Sequence, residues 1–173
     1  MVLNFRIPIA DNPYQCLYLK YMSMEDWREK IDILRCNPSF HNRPCYDCVV
    51  VNINPITFAR LEFIFTCEDS SNRRCDVALV RMFKNSRWRP RTKWEGCRVL
   101  EEKNYEFVFL KYLVRGCHMI PTFEKEDGTY YLNDLVDSDP FLRLFLSNQV
   151  NKSLFTLIYE WRKGYIVIIA MIL

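Results

Sequence analysis

The sequence predicts a mainly β fold with flanking helices (α+β): a small barrel of about five to seven strands behind an N-terminal strand–helix arm. Two observations predict it. Short apolar segments bounded by Asn, Pro, Asp and Gly recur at roughly regular spacing between residues 44 and 146, and one of them alternates inward and outward residues. In addition, 173 residues, half of them apolar and 15% aromatic, suffice for one packed core and argue against general disorder.

Residues 14–21 have the aromatic and aliphatic content of a strand. Ser23-Met-Glu-Asp26 then fits a capping box, and Trp27, Ile31 and Leu34 recur at helical spacing, so a helix is expected over 24–36. Asn37-Pro38 ends it, because the residue before proline is pushed out of the helical region. A loop with two prolines, 37–47, leads to a buried strand at 48–53. The segment 59–66 reads as a half-buried strand, with Leu61, Phe63 and Phe65 inward and Arg60, Glu62 and Thr66 outward. A polar connection at 68–74 joins it to a partner strand at 76–83, with Val77, Leu79 and Phe83 in the same core. Further strands are expected near 97–101, 105–114, 119–123 and 129–132, the last two joined through Asp127-Gly128, a hairpin signal. Asp139-Pro140 begins a last helix with Phe141, Leu144 and Phe145 on one face. The organisation is therefore an arm, 1–43, a barrel, 44–146, and a terminal extension, 147–173.

The net charge of +3 is small, but it is segregated. Arg81, Lys84, Arg87, Arg89, Arg91 and Lys93 follow one another with no acid between them, whereas 124–139 holds six acids and one lysine. Such a chain can present one face to a polyanion, or simply carry two solvated loops of opposite sign. Four glycines leave little for phosphate-cradling loops. The N-terminus does not read as a signal peptide. The longest apolar run, 165–173, is shorter than the roughly twenty residues of a membrane span. Eight cysteines in a chain with a real core read as reduced thiols, which points to the nucleus or cytosol.

Catalysis has little footing. Cys117-His118 are sequence neighbours, whereas a catalytic Cys and His are normally brought together by the fold. Asp134, Asp137 and Asp139 share one loop, whereas two-metal chemistry needs carboxylates converging from separate elements. No cofactor is implied. Cys36, His41, Cys45 and Cys48 offer four soft ligands within thirteen residues, yet Cys36 and Cys48 border apolar segments where a thiol packs as a small hydrophobe. The best contact surface is Arg81, Lys84, Arg87, Trp88, Arg89, Arg91, Lys93 and Trp94. Guanidinium forks match phosphates, and indoles stack on bases. The plainer reading has both indoles covering the barrel. Trp88, Trp94, Tyr130 and Tyr131 could alternatively cage a methylated lysine.

Several strings resemble a segment of uncharacterised basidiomycete proteins encoded by DNA transposons of the CACTA or Kyakuja-Dileera-Zisupton kind. They are Trp27 through Asp32, Arg35-Cys-Asn-Pro-Ser-Phe-His-Asn-Arg-Pro44, Tyr46-Asp-Cys-Val-Val-Val-Asn52, Phe58-Ala-Arg-Leu61, Arg87-Trp-Arg-Pro90, Arg115-Gly-Cys-His-Met-Ile-Pro121 and Tyr131-Leu-Asn-Asp-Leu-Val-Asp-Ser-Asp139 with Phe141-Leu-Arg143. The likeness spans about residues 14–146 and is similar to barrel domains beside plant transposases and, distantly, to bromo-adjacent-homology domains. It implies a basic residue where Cys45 stands, which speaks against the zinc set. It also implies a nuclear, non-enzymatic accessory module that binds DNA or chromatin and has a transposase as a further partner. The alternatives are a protein-interaction barrel and a transposon fragment without retained function.

Overall fold

A computed structural model describes residues 14–53, 55–68, 73–88, 97–123, 128–133 and 136–153. Strand β1 (Cys16–Met22) pairs antiparallel with β2 (Glu29–Phe40), which in turn pairs with β3 (Arg43–Tyr46) to give a three-stranded sheet. The larger sheet is built from β4 (Cys48–Val51), β5 (Thr57–Glu68), β6 (Arg74–Asn85), β7 (Val99–Phe109), β8 (Leu113–Cys117), β9 (Met119–Pro121) and β10 (Thr129–Leu132). Its order is β8-β4-β5-β6-β7-β10-β9, every neighbour antiparallel. The two outermost strands are consecutive in the chain, separated only by His118, so the sheet curls into a nearly closed barrel. This is the mainly β barrel expected. Helix α1 (Asp139–Ser153) follows it, so the expected boundary at residue 146 falls inside a helix.

The expected helix over 24–36 is a strand instead. From Glu29 to Cys36 exposure alternates strictly, with Ile31 and Ile33 outward and Leu34 and Cys36 buried. These residues satisfy a period of two as well as 3.6, and the β-branched isoleucines favour the pleat. The polar signal at Ser23 is real but serves a turn. The Ser23 hydroxyl accepts from the Glu25 amide at 3.2 Å, the Asp26 carboxylate accepts from the Arg28 amide at 3.3 Å, and Trp27 takes a left-handed φ of 55°. One turn closes the β1–β2 hairpin where a helix was expected to start. Pro38 lies within β2 where the register with β3 shifts, a position that needs no ladder donor.

Two cores result. Leu34 and Cys36 of the small sheet pack against Val49, Val51, Ala59, Leu61, Ile64, Ala78, Val80, Met82, Val108 and Leu113 of the large one. Inside the curl, Val50, Phe58, Phe83, Leu100, Cys117 and Leu132 gather around Leu144 of α1. Leu144 is the α1 side chain buried in this core, whereas Phe141 and Phe145, expected on the same face, are about half exposed at 47% and 50%. A bulge at Glu62 sets which residues of β5 join which core. Leu61 opposes Val80 but Phe63 opposes Leu79, so one residue is skipped and the alternation changes phase. Leu61 and Ile64 therefore face the small sheet, and Phe63 and Phe65 turn to the other side. Phe65 is 6% exposed but Phe63 is 42% exposed, which corrects the expectation that both point inward with Leu61.

Candidate interaction site

The predicted basic surface is partly compensated within the fold. Arg81 pairs with Glu102 at 3.2 Å and lies over the Tyr105 ring at 4.4 Å. Glu102 also receives Arg60 at 2.7 Å and the Tyr130 hydroxyl at 2.9 Å. Burial alone would raise its pKa, but these bonds and both guanidinium charges outweigh that and hold it below the usual carboxylate range. Lys84 reaches Glu101 at 3.4 Å in water. Arg87 is exposed and Trp88 half-buried. Arg89, Arg91, Lys93 and Trp94 lie outside the described residues, as do the acids at 124, 126, 127 and 134. The remaining two acids of that stretch, Asp137 and Asp139, do not pair with the basic segment; they turn to Arg115 and Arg143.

The other predicted groupings separate. Cys36 sits between the sheets and Cys48 borders the core inside the curl, on opposite faces. His41, at a φ of 50° in the β2–β3 turn, packs edge-on against Phe40. Among the described residues no three His, Cys, Asp or Glu side chains lie close enough to hold a metal. Tyr131 is buried in the sheet and Tyr130 is bonded to Glu102, so the tyrosines do not form a cage with Trp88. All eight cysteines are free, although Cys48 opposes Cys117 across β4 and β8. Burial raises the thiols of Cys36 and Cys48 to about 12 and that of Cys117 well above its ordinary value. They are protonated at neutral pH and poor nucleophiles.

What the fold does assemble is a junction around Arg115. Its guanidinium makes a two-pronged pair with Asp137, reaches Asp139 at 3.3 Å and Asp32 at 3.6 Å, and covers the Tyr21 ring at 4.6 Å. Asp139 is fully buried. It accepts from Arg143 Nε and from the Met24 amide, each at 2.6 Å, and Arg143 reaches on to the Met22 carbonyl. One ionic cluster thus ties the β1–β2 hairpin, β8 and the start of α1 together. Sequence reading passed over the cluster because Arg115 lies more than twenty residues from each of the aspartates it meets; only the Asp139–Arg143 pair is local.

Beside the junction, Asp32, Ile33, Leu34, Arg35, Asp47, Cys48 and residues 115–118 line a cleft of about 260 Å³. Gly116 lets β2 approach β8. A Cβ there would meet Leu34 Cδ2 at 2.8 Å. The Gly116 amide donates to Asp32 at 2.8 Å, and its carbonyl accepts from Arg115 Nε at 3.0 Å. Side chains therefore seal this part of the barrel edge against further pairing.

No family model, curated protein or solved structure matches the chain. The site is read from its own chemistry. One exposed feature is the outer face of the β1–β2 ribbon, where Tyr18 opposes Ile33 and Lys20 opposes Ile31. Tyr18 is 67% exposed, Ile31 53% and Ile33 49%, with Met22 and, at the ribbon tip, Trp27 also more than half exposed. A second exposed group, Phe63, Tyr105 and Phe107, lies on β5 and β7. Among the described residues no helix is long and apolar enough to cross a membrane.

Proposed function

We propose that this barrel is a non-enzymatic protein-interaction module whose contact face is the outer side of the β1–β2 ribbon. One observation carries the reading: Tyr18, Met22, Ile31 and Ile33 stand exposed side by side, while the inward residues of the same strands already complete a core. Exposed apolar side chains gathered on one face, here around the Lys20–Glu29 ion pair, are a mark of association surfaces. Trp27 at the tip adds the kind of residue that dominates interface energetics. Raised thiol pKa values at Cys36, Cys48 and Cys117, and aspartates engaged by arginines, favour binding over chemistry. Phage display of random peptides on the purified protein tests this. The expected result is an enriched consensus whose binding falls at least about tenfold in the Ile31→Lys, Ile33→Lys double variant with an unchanged thermal midpoint. Equal enrichment on wild type and variant defeats the reading.

A second reading, binding of DNA by the basic segment of a transposon-derived protein, is favoured by the exposed Arg87 beside a half-buried Trp88. Arg81 and Lys84 would add little to it, being paired already. Affinity for unrelated duplexes should then fall steeply with salt, and Arg87→Ala should flatten that slope by about one unit. A salt-independent affinity would exclude it.

A further inference from the structure

We infer that the free edge of β2 at Ile33 takes up an extended peptide as an added strand, with a basic side chain of that peptide directed at Asp47. The inference rests on the ribbon being a docking face and names what docks and how.

Hydrogen-bonding direction alternates along a strand, so each residue sends its amide and carbonyl either to one neighbour or to the other. Two observations fix the phase in β2. The Cys36 amide bonds the Gln15 carbonyl, at the β1 side. The Arg35 amide donates to the Asp47 carboxylate at 2.7 Å, and the Arg35 carbonyl accepts from the Asp47 amide at 2.9 Å, both on the β3 side. Ile33, two residues earlier and paired with Tyr18, therefore directs both backbone groups away from β1. β3 pairs only with residues from Cys36 onward, and among the described residues no strand lies along Ile33. Ile33 instead lines the 260 Å³ cleft with Asp32, Leu34, Asp47 and Gly116.

The neighbouring exposed groups are treated differently. At Gly116, Asp32 and Arg115 occupy the outward amide and carbonyl. At Arg35, Asp47 does so. Natural sheets seal edges in this way to prevent pairing, so the stretch of β2 edge at Ile33, which no described side chain seals next to the sealed Arg35, is where pairing is allowed. A strand added there would alternate its side chains. One set would lie beside Ile31 and Ile33 on the exposed apolar face, and the other would enter the cleft.

The charges in the cleft select its occupant. Arg115 is engaged by Asp137 and Asp139, and Arg35 lies over the Phe40 ring at 5.0 Å. Asp32 is held by Gly116 and Arg115. Asp47 uses Oδ2 for the Arg35 amide, and its Oδ1 faces no donor among the described residues. His118 is exposed at the rim. An arginine or lysine between two apolar residues fits the open oxygen of Asp47, whereas an acidic side chain at that position would lie against the Asp47 carboxylate.

A blocked nine-residue peptide alternating valine with threonine and a central arginine serves as the probe. Three comparison peptides carry glutamate for arginine, N-methylated amides on the pairing side, or N-methylated amides on the opposite side. Edge pairing predicts that binding protects the Ile33 amide from hydrogen exchange. It also predicts that the glutamate peptide and the pairing-side methylated peptide bind at least about tenfold more weakly, and that opposite-side methylation changes little. Ile33→Pro should remove binding, while Ile33→Ala, which keeps the amide, should retain more of it. The β1–β2 ladder does not use this amide, so the proline variant is expected to fold; if it does not, exchange at Ile33 and the methylated peptides decide alone. Binding that is lost in the Ile31→Lys, Ile33→Lys variant but insensitive to N-methylation, with Ile33 unprotected, overturns edge pairing and leaves the docking face standing. Equal affinity for the arginine and glutamate peptides overturns the role of Asp47. A shift to dimers with no peptide effect would assign the edge to a second copy and overturn the peptide as its occupant.

Discussion

The Arg115–Asp139–Arg143 cluster shows how few residues hold the three parts of this molecule in register. Asp139 has no contact with water, and burial by itself would raise its pKa. Bonds from Arg143 and the Met24 amide, with the charges of Arg143 and Arg115, outweigh burial and hold its carboxyl below the usual range. A carboxylate depressed in the folded state contributes stability above its unfolded pKa of about 3.9, and that contribution is lost as pH falls through the lower folded value. The urea midpoint should therefore drop below about pH 4, and Asp139→Asn should flatten this acid limb. At pH 7 the same variant should lose about 1.5–3 kcal/mol, because Arg143 loses its carboxylate partner while Arg115 keeps Asp137. Chemical denaturation as a function of pH checks both; an unchanged acid limb would show that other carboxylates set it. Tyr21, whose ring lies under Arg115, is raised to about 12, chiefly by burial.

At the scale of elements, the bulge at Glu62 decides the fate of four side chains. It places Phe65 against Val77 and Cys67, within 6.0 Å of Phe107, and leaves Phe63 open to water. Phe65→Ala should cost about 3–5 kcal/mol and Phe63→Ala about 1 kcal/mol or less. Denaturant midpoints for the pair are the check, and equal losses would mean the phase change is absent in solution. Both strands of this hairpin were legible because alternation and a polar connection are local signals. The bulge was not, since it depends on how β5 crosses β6 with Leu61 and Phe63 opposing Val80 and Leu79. The β2 segment is the clearest misreading. Trp27, Ile31 and Leu34 fit a helical stripe, but β1 supplies a pairing partner and the larger sheet supplies a surface for Leu34 and Cys36. Short apolar patterns cannot separate the two periods, and the tertiary partner does.

At the scale of the whole molecule, the cysteines report on the layers. Cys36 lies between the sheets, and Cys48 and Cys117 meet where β4 and β8 close one side of the curl. Their raised thiol pKa values come first from burial. Alkylation of the native protein at about pH 8 should leave buried Cys36 and Cys117 unmodified while half-exposed Cys16 and Cys45 react, as read by mass spectrometry. Labelling of Cys117 as fast as Cys16 would mean that the curl opens readily.

The sequence by itself determined the class of fold, the β5–β6 and β9–β10 hairpins and the helix beginning at Asp139-Pro140. Each rests on residues a few positions apart, whose periodicity and turn chemistry act locally. Tertiary structure alone decided the state of residues 29–36, the exposure of Phe63, and the pairing of Arg81 and Lys84 with Glu102 and Glu101. It also decided the meeting of Arg115 with Asp32, Asp137 and Asp139, and the opening at Ile33 beside the sealed edge at Arg35. These are contacts between distant segments, and a charge or an apolar side chain carries no mark of which distant partner will reach it.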